Sequence, residues 1–204
     1  MKTLFTLVLL FCGTIVFAQD FQQANVLFAD GKELTGLVKA SSVGEKSIMY
    51  RAAEAGSKNE KISSSELSRI YFTLDSAAYE PVYLMFNGKK RKEPTWAQKL
   101  MEGPVSLYAK GSRMSFQRSG FNHNVDDISF FTKRTDEAGA SMVGMYFSSG
   151  AIGINVNRTF RKLAGEYFAD YPELAARIEN KEFEILEIPA VVTAYNEWKT
   201  GQQN

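Results

Sequence analysis

The stretch Asn25-Val-Leu-Phe-Ala-Asp-Gly31, which leads into a second apolar segment at residues 34–40, decides the fold of the N-terminal part of this chain. Hydrophobic residues flanking an Asp-Gly pair are the strongest short-range signal for a β-hairpin, and the pair predicts a type I′ turn. Gly36 in the returning strand predicts a bulge or a close approach of another part of the chain, because glycine has no side chain to pack. The folded part therefore begins with two antiparallel strands.

Further short strands follow this hairpin. Ser47-Ile-Met-Tyr-Arg51 and Arg69-Ile-Tyr-Phe-Thr73 are predicted strands, and Lys61-Ile62 is a shorter one. Ser63-Ser-Ser-Glu66 has the spacing of a capping box and predicts one helical turn. Short strands joined by short turns predict a small bent β-sheet, or an SH3-like or Sm-like barrel, over residues 19–76.

A second β-rich segment is predicted over residues 77–156. Its expected strands, chosen for their apolar and β-branched residues, lie at 81–86, 105–108, 114–116, 128–132 and 142–147. Residues 94–101 instead predict a short helix, because Trp96 and Leu100 are four residues apart and Gly103 follows.

The C-terminal segment, residues 157–204, has the periodicity of helices. Phe160, Leu163, Tyr167 and Phe168 form one apolar face. A second helix is expected after Asp170, with Pro172 in its first turn, and a third after the proline at 189. The predicted fold class is α+β: an N-terminal small bent β-sheet or SH3/Sm-like barrel, further β-strands, then C-terminal helices packed on the sheet.

Residues 1–18 have the pattern of a signal peptide. Lys2 precedes an apolar run, and Val16-Phe-Ala18 presents the residues that a signal peptidase accepts. The run is short for a membrane span, and Gln19-Asp20 follows in place of a cationic flank. Phe11 before Cys12 argues against lipoprotein processing. We expect cleavage after Ala18 and a periplasmic or secreted protein.

The composition limits what the exported chain can do. Lys and Arg number 24 and Asp and Glu 23, for a net charge of +1, so there is no basic excess that would indicate nucleic-acid binding. Cleavage would remove Cys12, the one cysteine, and with it any disulfide, thiol nucleophile or thiolate ligand. A single histidine, His123, cannot build a histidine-rich metal site. We expect no metal, no cofactor and no integral membrane segment after cleavage.

Several residues could carry acid–base or nucleophilic chemistry. His123 lies in Asn122-His-Asn-Val-Asp126, a composition typical of a polar turn. Asp126-Asp127 and Asp136-Glu137 are adjacent carboxylates, which sequence adjacency alone does not pair in space. We expect turn or solvated strand positions for them. Gly139-Ala-Ser-Met-Val-Gly144 has one residue too many for a nucleophile elbow, and no catalytic residue is assigned.

Three other features could form a binding surface. Lys89-Lys-Arg-Lys92 predicts a solvated hairpin loop, or a contact with anionic envelope material such as phosphorylated glycolipid. The uncharged residues 138–157 predict a buried hairpin with its turn at Ser148-Ser149-Gly150, whose glycines could also let a ligand approach. Aromatic residues including Tyr50 and Tyr71 concentrate in the β region, as core or as a surface for sugars or peptides.

The chain resembles uncharacterised exported proteins of similar length that are common in Bacteroidota. The resemblance is carried by Val16-Phe-Ala-Gln19, by Glu102-Gly-Pro-Val-Ser-Leu-Tyr108, and by Tyr167-Phe-Ala-Asp-Tyr-Pro-Glu-Leu174 with Ala194-Tyr-Asn196. These relatives often have cysteine before the proline of the tail, where this chain has Tyr171. The resemblance covers about half of the chain. It implies export and an α+β fold and brings no activity.

These observations favour a non-catalytic binding or interaction protein of the cell envelope, with an envelope protein, peptide or glycan as its partner and no nucleic acid. One alternative is a hydrolase that acts on an envelope polymer through Asp126 or Asp127. Another is an outer-membrane-associated assembly factor that uses residues 138–157.

We expect the protein recovered from an exporting cell to begin at Gln19. N-terminal sequencing by mass spectrometry measures this directly. Ala18→Leu should leave the precursor unprocessed, because signal peptidase requires a small residue at that position, whereas Phe17→Leu should be processed normally. A precursor of full length in the unmodified protein would contradict the prediction.

Overall fold

The structure is a computed structural model that describes residues 21–86, 88–118, 121–147 and 155–202, with the backbone alone for residues 86, 113–118 and 121–125. The chain divides into two compact units between Ser76 and Ala77. The predicted signal peptide and the predicted turn at residues 148–150 lie outside the described residues.

Over residues 21–76, the part of the first unit that the structure describes, there are five antiparallel strands. They are β1 (Phe21–Phe28), β2 (Glu33–Lys39), β3 (Ser47–Ala52), β4 (Glu60–Ser63) and β5 (Leu67–Phe72). Within the unit their order is β4-β3-β2-β1-β5. A 3₁₀ turn, Ser64–Glu66, joins β4 to β5, as the capping-box spacing predicts. Because β4 does not pair with β5, the sheet stays open, and the structure does not support a closed SH3-like or Sm-like barrel.

The first hairpin forms where it is expected, but with a different turn. The Gly31 amide donates to the Phe28 carbonyl at 3.1 Å, and Gly31 has a φ of 89°. Asp30 does not have a positive φ, which a type I′ turn requires at both central residues. The Asp30 carboxylate instead accepts the Lys32 amide at 2.9 Å. Within this turn the left-handed conformation falls on Gly31, which adopts it at no steric cost.

Gly36 permits the close approach that its position in β2 predicts. A Cβ there would lie 2.6 Å from both the Tyr50 ring and the Arg51 carbonyl oxygen. The Tyr50 hydroxyl donates to the Thr35 carbonyl at 3.0 Å, so the ring lies across the glycine. One face of the sheet is buried, and its burial stabilises the unit. That face carries Ala24, Val26, Val38, Ile48, Tyr50, Leu67, Ile70 and Phe72.

The described residues of the second unit contain seven strands. They are β6 (Ala77–Val82), β7 (Met85–Phe86), β8 (Lys89–Lys90), β9 (Thr95–Met101), β10 (Val105–Arg118), β11 (Phe121–Arg134) and β12 (Ser141–Phe147). Five of them form an antiparallel order β6-β9-β10-β11-β12, while β7 and β8 form a separate ribbon. The helix predicted over 94–101 is wrong. Both edges of β9 find strand partners, and this pairing overrides a four-residue spacing of two apolar residues.

Within residues 155–202, which the structure describes, the second unit has three α-helices: α1 (Val156–Tyr167), α2 (Pro172–Glu179) and α3 (Ile188–Gly201). They pack on the strands through a shared apolar core, which confirms the α+β prediction with C-terminal helices on the sheet. The core contains Val105, Leu107, Phe130, Val143, Phe160, Ala164, Phe168, Leu174, Ile178, Phe183, Ile185, Ile188, Val191, Val192 and Tyr195. In the part of the chain that the structure describes, no helix is long and apolar enough to span a membrane.

The side chain of Asn196 attaches α3 to the start of β10. Its Nδ2 donates to the Val105 carbonyl at 2.9 Å, and its Oδ1 accepts the Val105 amide at 2.7 Å. The amide group therefore pairs with one residue of β10 as a neighbouring strand would. Gly103 leaves room for this contact, because a Cβ there would lie 2.6 Å from Nδ2.

We expect Asn196→Ala to lower the free energy of unfolding by about 2–4 kcal/mol, because the two backbone groups of buried Val105 lose their partners. Urea unfolding followed by circular dichroism measures the change. Glu197→Ala, at the exposed neighbouring position, is the control and should change stability by less than about 0.5 kcal/mol. Equal effects of the two substitutions would show that the amide pairing does not hold α3 in place.

Candidate binding surfaces and side-chain clusters

The structure separates the acidic residues that the sequence places side by side. Asp126 and Asp127 are consecutive in β11, so their side chains lie on opposite faces of the strand. Asp126 is exposed, whereas Asp127 is 3% exposed and accepts hydrogen bonds from the hydroxyls of Ser112 and Ser129. The prediction of a solvated position is therefore wrong for Asp127. The two carboxylates cannot act on one substrate from the same side.

His123 is placed in a strand, not in the polar turn that its neighbours predict. It lies in β11 opposite Phe116 of β10. Polar residues are compatible with this position because the β10–β11 ladder supplies the backbone hydrogen bonds. Gly139 and Gly144 form no elbow: Gly144 lies in β12, and Gly139 precedes a parallel bridge between Leu84 and Ala140.

Glu137 belongs to an internal network that we call the Arg134 cluster: Arg134, Glu137, Tyr167, Asp170 and Tyr195. The Arg134 guanidinium donates to Glu137 at 3.1 Å, to Asp170 at 2.8 Å and to the Tyr195 hydroxyl at 3.2 Å. It also donates to the Tyr167 carbonyl at 2.8 Å, and its carbon lies 4.3 Å from the Tyr167 ring centroid. The network joins the end of β11 to α1 and α3.

The hydroxyl groups of this cluster are held protonated. Tyr167 donates to Glu137 at 2.7 Å, and Tyr195 donates to Asp170 at 2.6 Å. Burial, followed by the hydrogen bond to Glu137, raises the pKa of Tyr167 far above its ordinary range. Burial alone would lower the pKa of Arg134, but its bonds to Tyr195 and Glu137 raise it. The guanidinium, the two carboxylates and the two hydroxyls of the cluster all bond to one another. These bonds hold the end of β11 against α1 and α3.

In the sequence, Glu137 stands out as a carboxylate, whereas Tyr167 and Asp170 stand out only as helix positions. The members of the Arg134 cluster are spread between positions 134 and 195, and no fixed spacing connects them. A second ion pair that sequence analysis misses joins Lys99 of β9 to Glu80 of β6 at 3.0 Å, with both side chains largely buried. Both networks become visible only when strands and helices are assembled.

The first sheet also has an outer face, opposite its buried face. Cross-strand partners share a face, and the register places Phe21 beside Lys39, Leu37 beside Arg51, and Leu27 beside Arg69. Every position on the outer face is partly or fully exposed. We define the outer face as Phe21, Gln23, Asn25, Leu27, Glu33, Thr35, Leu37, Lys39, Ser47, Met49, Arg51, Lys61, Ser63, Arg69 and Tyr71.

The outer face combines cations with aromatic and amide groups. Lys39, Arg51, Lys61 and Arg69 supply four positive charges, and Glu33 is the one acidic residue among the positions defined above. The Arg51 guanidinium carbon lies 4.7 Å from the Phe21 ring centroid. Asn25 accepts the Thr35 hydroxyl at 3.1 Å and is opposite Tyr71 in the register. Of the two tyrosines noted in the sequence, Tyr50 belongs to the core and Tyr71 to the outer face.

The basic run forms a second cationic surface. Lys89, Lys90, Arg91 and Lys92 are all exposed; the first two form β8 and the others follow it. The Lys90 ammonium lies 4.5 Å from the ring centroid of Tyr83, which is 39% exposed. We call these four cations and Tyr83 the basic ribbon. The four cations are solvated, as the sequence predicts, but two of them lie in a strand and not in a loop.

Within the described ranges, no three His, Cys, Asp or Glu side chains come close enough together to hold a metal ion. Comparison of the chain with protein-family models, with curated proteins and with solved structures finds no match.

We expect alkaline pH to destabilise the protein through the Arg134 cluster. The pKa of Tyr167 is raised in the folded state. The protonated hydroxyl therefore contributes fully to the free energy of unfolding below the ordinary tyrosine pKa of 10.0, and this contribution is lost as the pH rises above that value. Urea unfolding at a series of pH values measures the loss. In the Tyr167→Phe variant, the free energy of unfolding should fall less steeply above pH 10, by about 1.4 kcal/mol per pH unit. Equal slopes would contradict this assignment.

Proposed function

We propose that this chain is an exported, non-catalytic binding protein of the cell envelope, and that the outer face of its first sheet binds an anionic glycan. The observation that carries the proposal is the composition of that face: four cations and one carboxylate, interspersed with two aromatic rings and polar groups. The whole chain has nearly equal numbers of positive and negative residues, so this local excess is not a consequence of overall charge.

The charge of the outer face favours an anionic partner. Arg51 carries a planar guanidinium group, which matches carboxylate and phosphate groups with two parallel hydrogen bonds. Lys39 and Lys61 add charge at positions further along the face. An open sheet face presents these groups across several strands, which suits an extended polymer.

The uncharged groups of the same face favour a sugar polymer. Tyr71 and Phe21 are half-buried, so each ring offers apolar surface, and Tyr71 also offers a polar hydroxyl. Asn25 and Thr35 lie next to Tyr71 and present an amide and a hydroxyl to solvent. A partner with both ring faces and many hydroxyl groups can use these contacts together.

The hydrolase alternative has no support from the geometry of its candidate residues. Asp127 is buried beneath two serine hydroxyls, and Asp126 lies on the other face of β11. Glycoside hydrolysis requires two carboxyl groups that flank one bond. We therefore do not propose an enzymatic function.

Binding to the proposed surface is tested with immobilised polygalacturonate, dextran sulfate and neutral dextran. We expect the two anionic polymers to bind and the neutral polymer not to bind. Arg51→Gln combined with Tyr71→Ala should weaken binding by about tenfold or more, because it removes one charge-assisted contact and one aromatic contact. Lys58→Gln combined with Ser57→Ala, in the loop between β3 and β4, is the matched control and should bind normally.

Each double variant removes one positive charge, so a difference in their binding to the polymers reflects where the substituted residues lie on the protein. Unchanged circular dichroism and thermal midpoints would show that both variants fold. If the two variants weaken binding equally, the polymers respond only to the net charge of the protein, and the proposed binding surface is wrong. Binding of neutral and anionic polymers alike would overturn the assignment of an anionic ligand.

A further inference from the structure

We infer that the basic ribbon, on the second unit, is a docking site for an anionic lipid surface. This inference uses residues outside the outer face and does not rest on the proposed glycan function. Its starting point is a concentration of charge: four consecutive cations, each exposed, with Glu93 next to them in sequence. No ion pair joins these cations to a carboxylate of the described residues.

The ribbon holds its cations on an ordered base. Tyr83 accepts the Ala140 amide through its carbonyl at 2.7 Å, and the Met85 amide donates to the Ala140 carbonyl at 2.9 Å. The Arg91 amide donates to the Leu84 carbonyl at 2.9 Å, which closes the ribbon on its other side. Leu84 is buried in an apolar cluster with Val82, Ala97, Tyr108, Phe131 and Ala140. The backbone therefore loses little freedom when the charges meet a partner.

The aromatic residue of the ribbon favours a lipid surface over a soluble polyanion. Tyr83 exposes 39% of its surface beside the Lys90 ammonium. Tyrosine is enriched where a membrane meets water, because one end of its side chain is apolar while its hydroxyl contacts water and the polar headgroups. Clusters of basic residues next to such a surface are attracted by anionic headgroups. A soluble polyanion would use the four cations but would gain little from the exposed ring.

The test is co-sedimentation with phosphatidylcholine vesicles, with and without phosphatidylglycerol, using the protein in the form that the exporting cell accumulates. We expect binding only when phosphatidylglycerol is present, and less binding as salt is added. Each cation near an anionic surface contributes about a fivefold increase in affinity at low salt. The variant with Lys89, Lys90, Arg91 and Lys92 all changed to Gln should therefore bind at least ~100-fold more weakly.

The matched control changes four exposed cations elsewhere, Lys46, Lys58, Arg158 and Lys162, to Gln. It has the same net charge and should retain most of the binding. Equal losses in the two variants would show attraction by net charge alone and overturn the docking site. If the unmodified protein sediments with pure phosphatidylcholine vesicles as much as with vesicles that contain phosphatidylglycerol, the requirement for anionic lipid is wrong.

A second variant separates lipid from a soluble polyanion. Tyr83→Ala should weaken vesicle binding several-fold at every salt concentration, because the lost contact is apolar, and should leave binding to dextran sulfate unchanged. Equal effects on vesicles and dextran sulfate, or no effect on either, would assign the ribbon to polyanions in general and overturn the lipid assignment. The outer-face variant Arg51→Gln with Tyr71→Ala should bind vesicles normally, so failure of either proposal can be recognised separately.

Discussion

The Arg134 guanidinium imposes the constraint on which the arrangement of the second unit depends. A guanidinium that is largely removed from water requires a partner for each of its donors, and here the partners come from three elements. Glu137 follows β11, Tyr167 and Asp170 stand at the end of α1, and Tyr195 comes from α3. These elements must therefore meet at one point. The amide of Asn196, one residue further along α3, then sets the position of that helix against β10.

The same use of polar groups accounts for the acidic residues Asp127 and Glu137, whose carboxylates accept hydrogen bonds inside the second unit. Glu137 and Asp170 neutralise Arg134, and Glu80 neutralises Lys99. Asp127 is buried under serine hydroxyls. The outer face and the basic ribbon carry cations beside aromatic rings.

Local patterns were sufficient to predict much of the fold. The Asp30-Gly31 pair predicts the first hairpin, Gly36 predicts the close approach of Tyr50, and the apolar period from Phe160 predicts α1. Prediction failed where pairing with distant strands decides the outcome. Trp96 and Leu100 have helical spacing, but β6 and β10 flank their segment and make it a strand. The turn type failed for a local reason, because the Asp30 side chain bonds to the Lys32 amide.

The sequence by itself determined the α+β class, most strands, the three helices and the exposed basic run, because hydrophobic periodicity and turn chemistry act over a few residues. Only the tertiary structure decided which charges are neutralised and which remain exposed. Arg134 and Tyr195 are 61 positions apart, and Phe21 meets Arg51 only when β1, β2 and β3 pair. A charge acquires its role from the groups within a few ångströms of it, and strand register and helix packing bring those groups together.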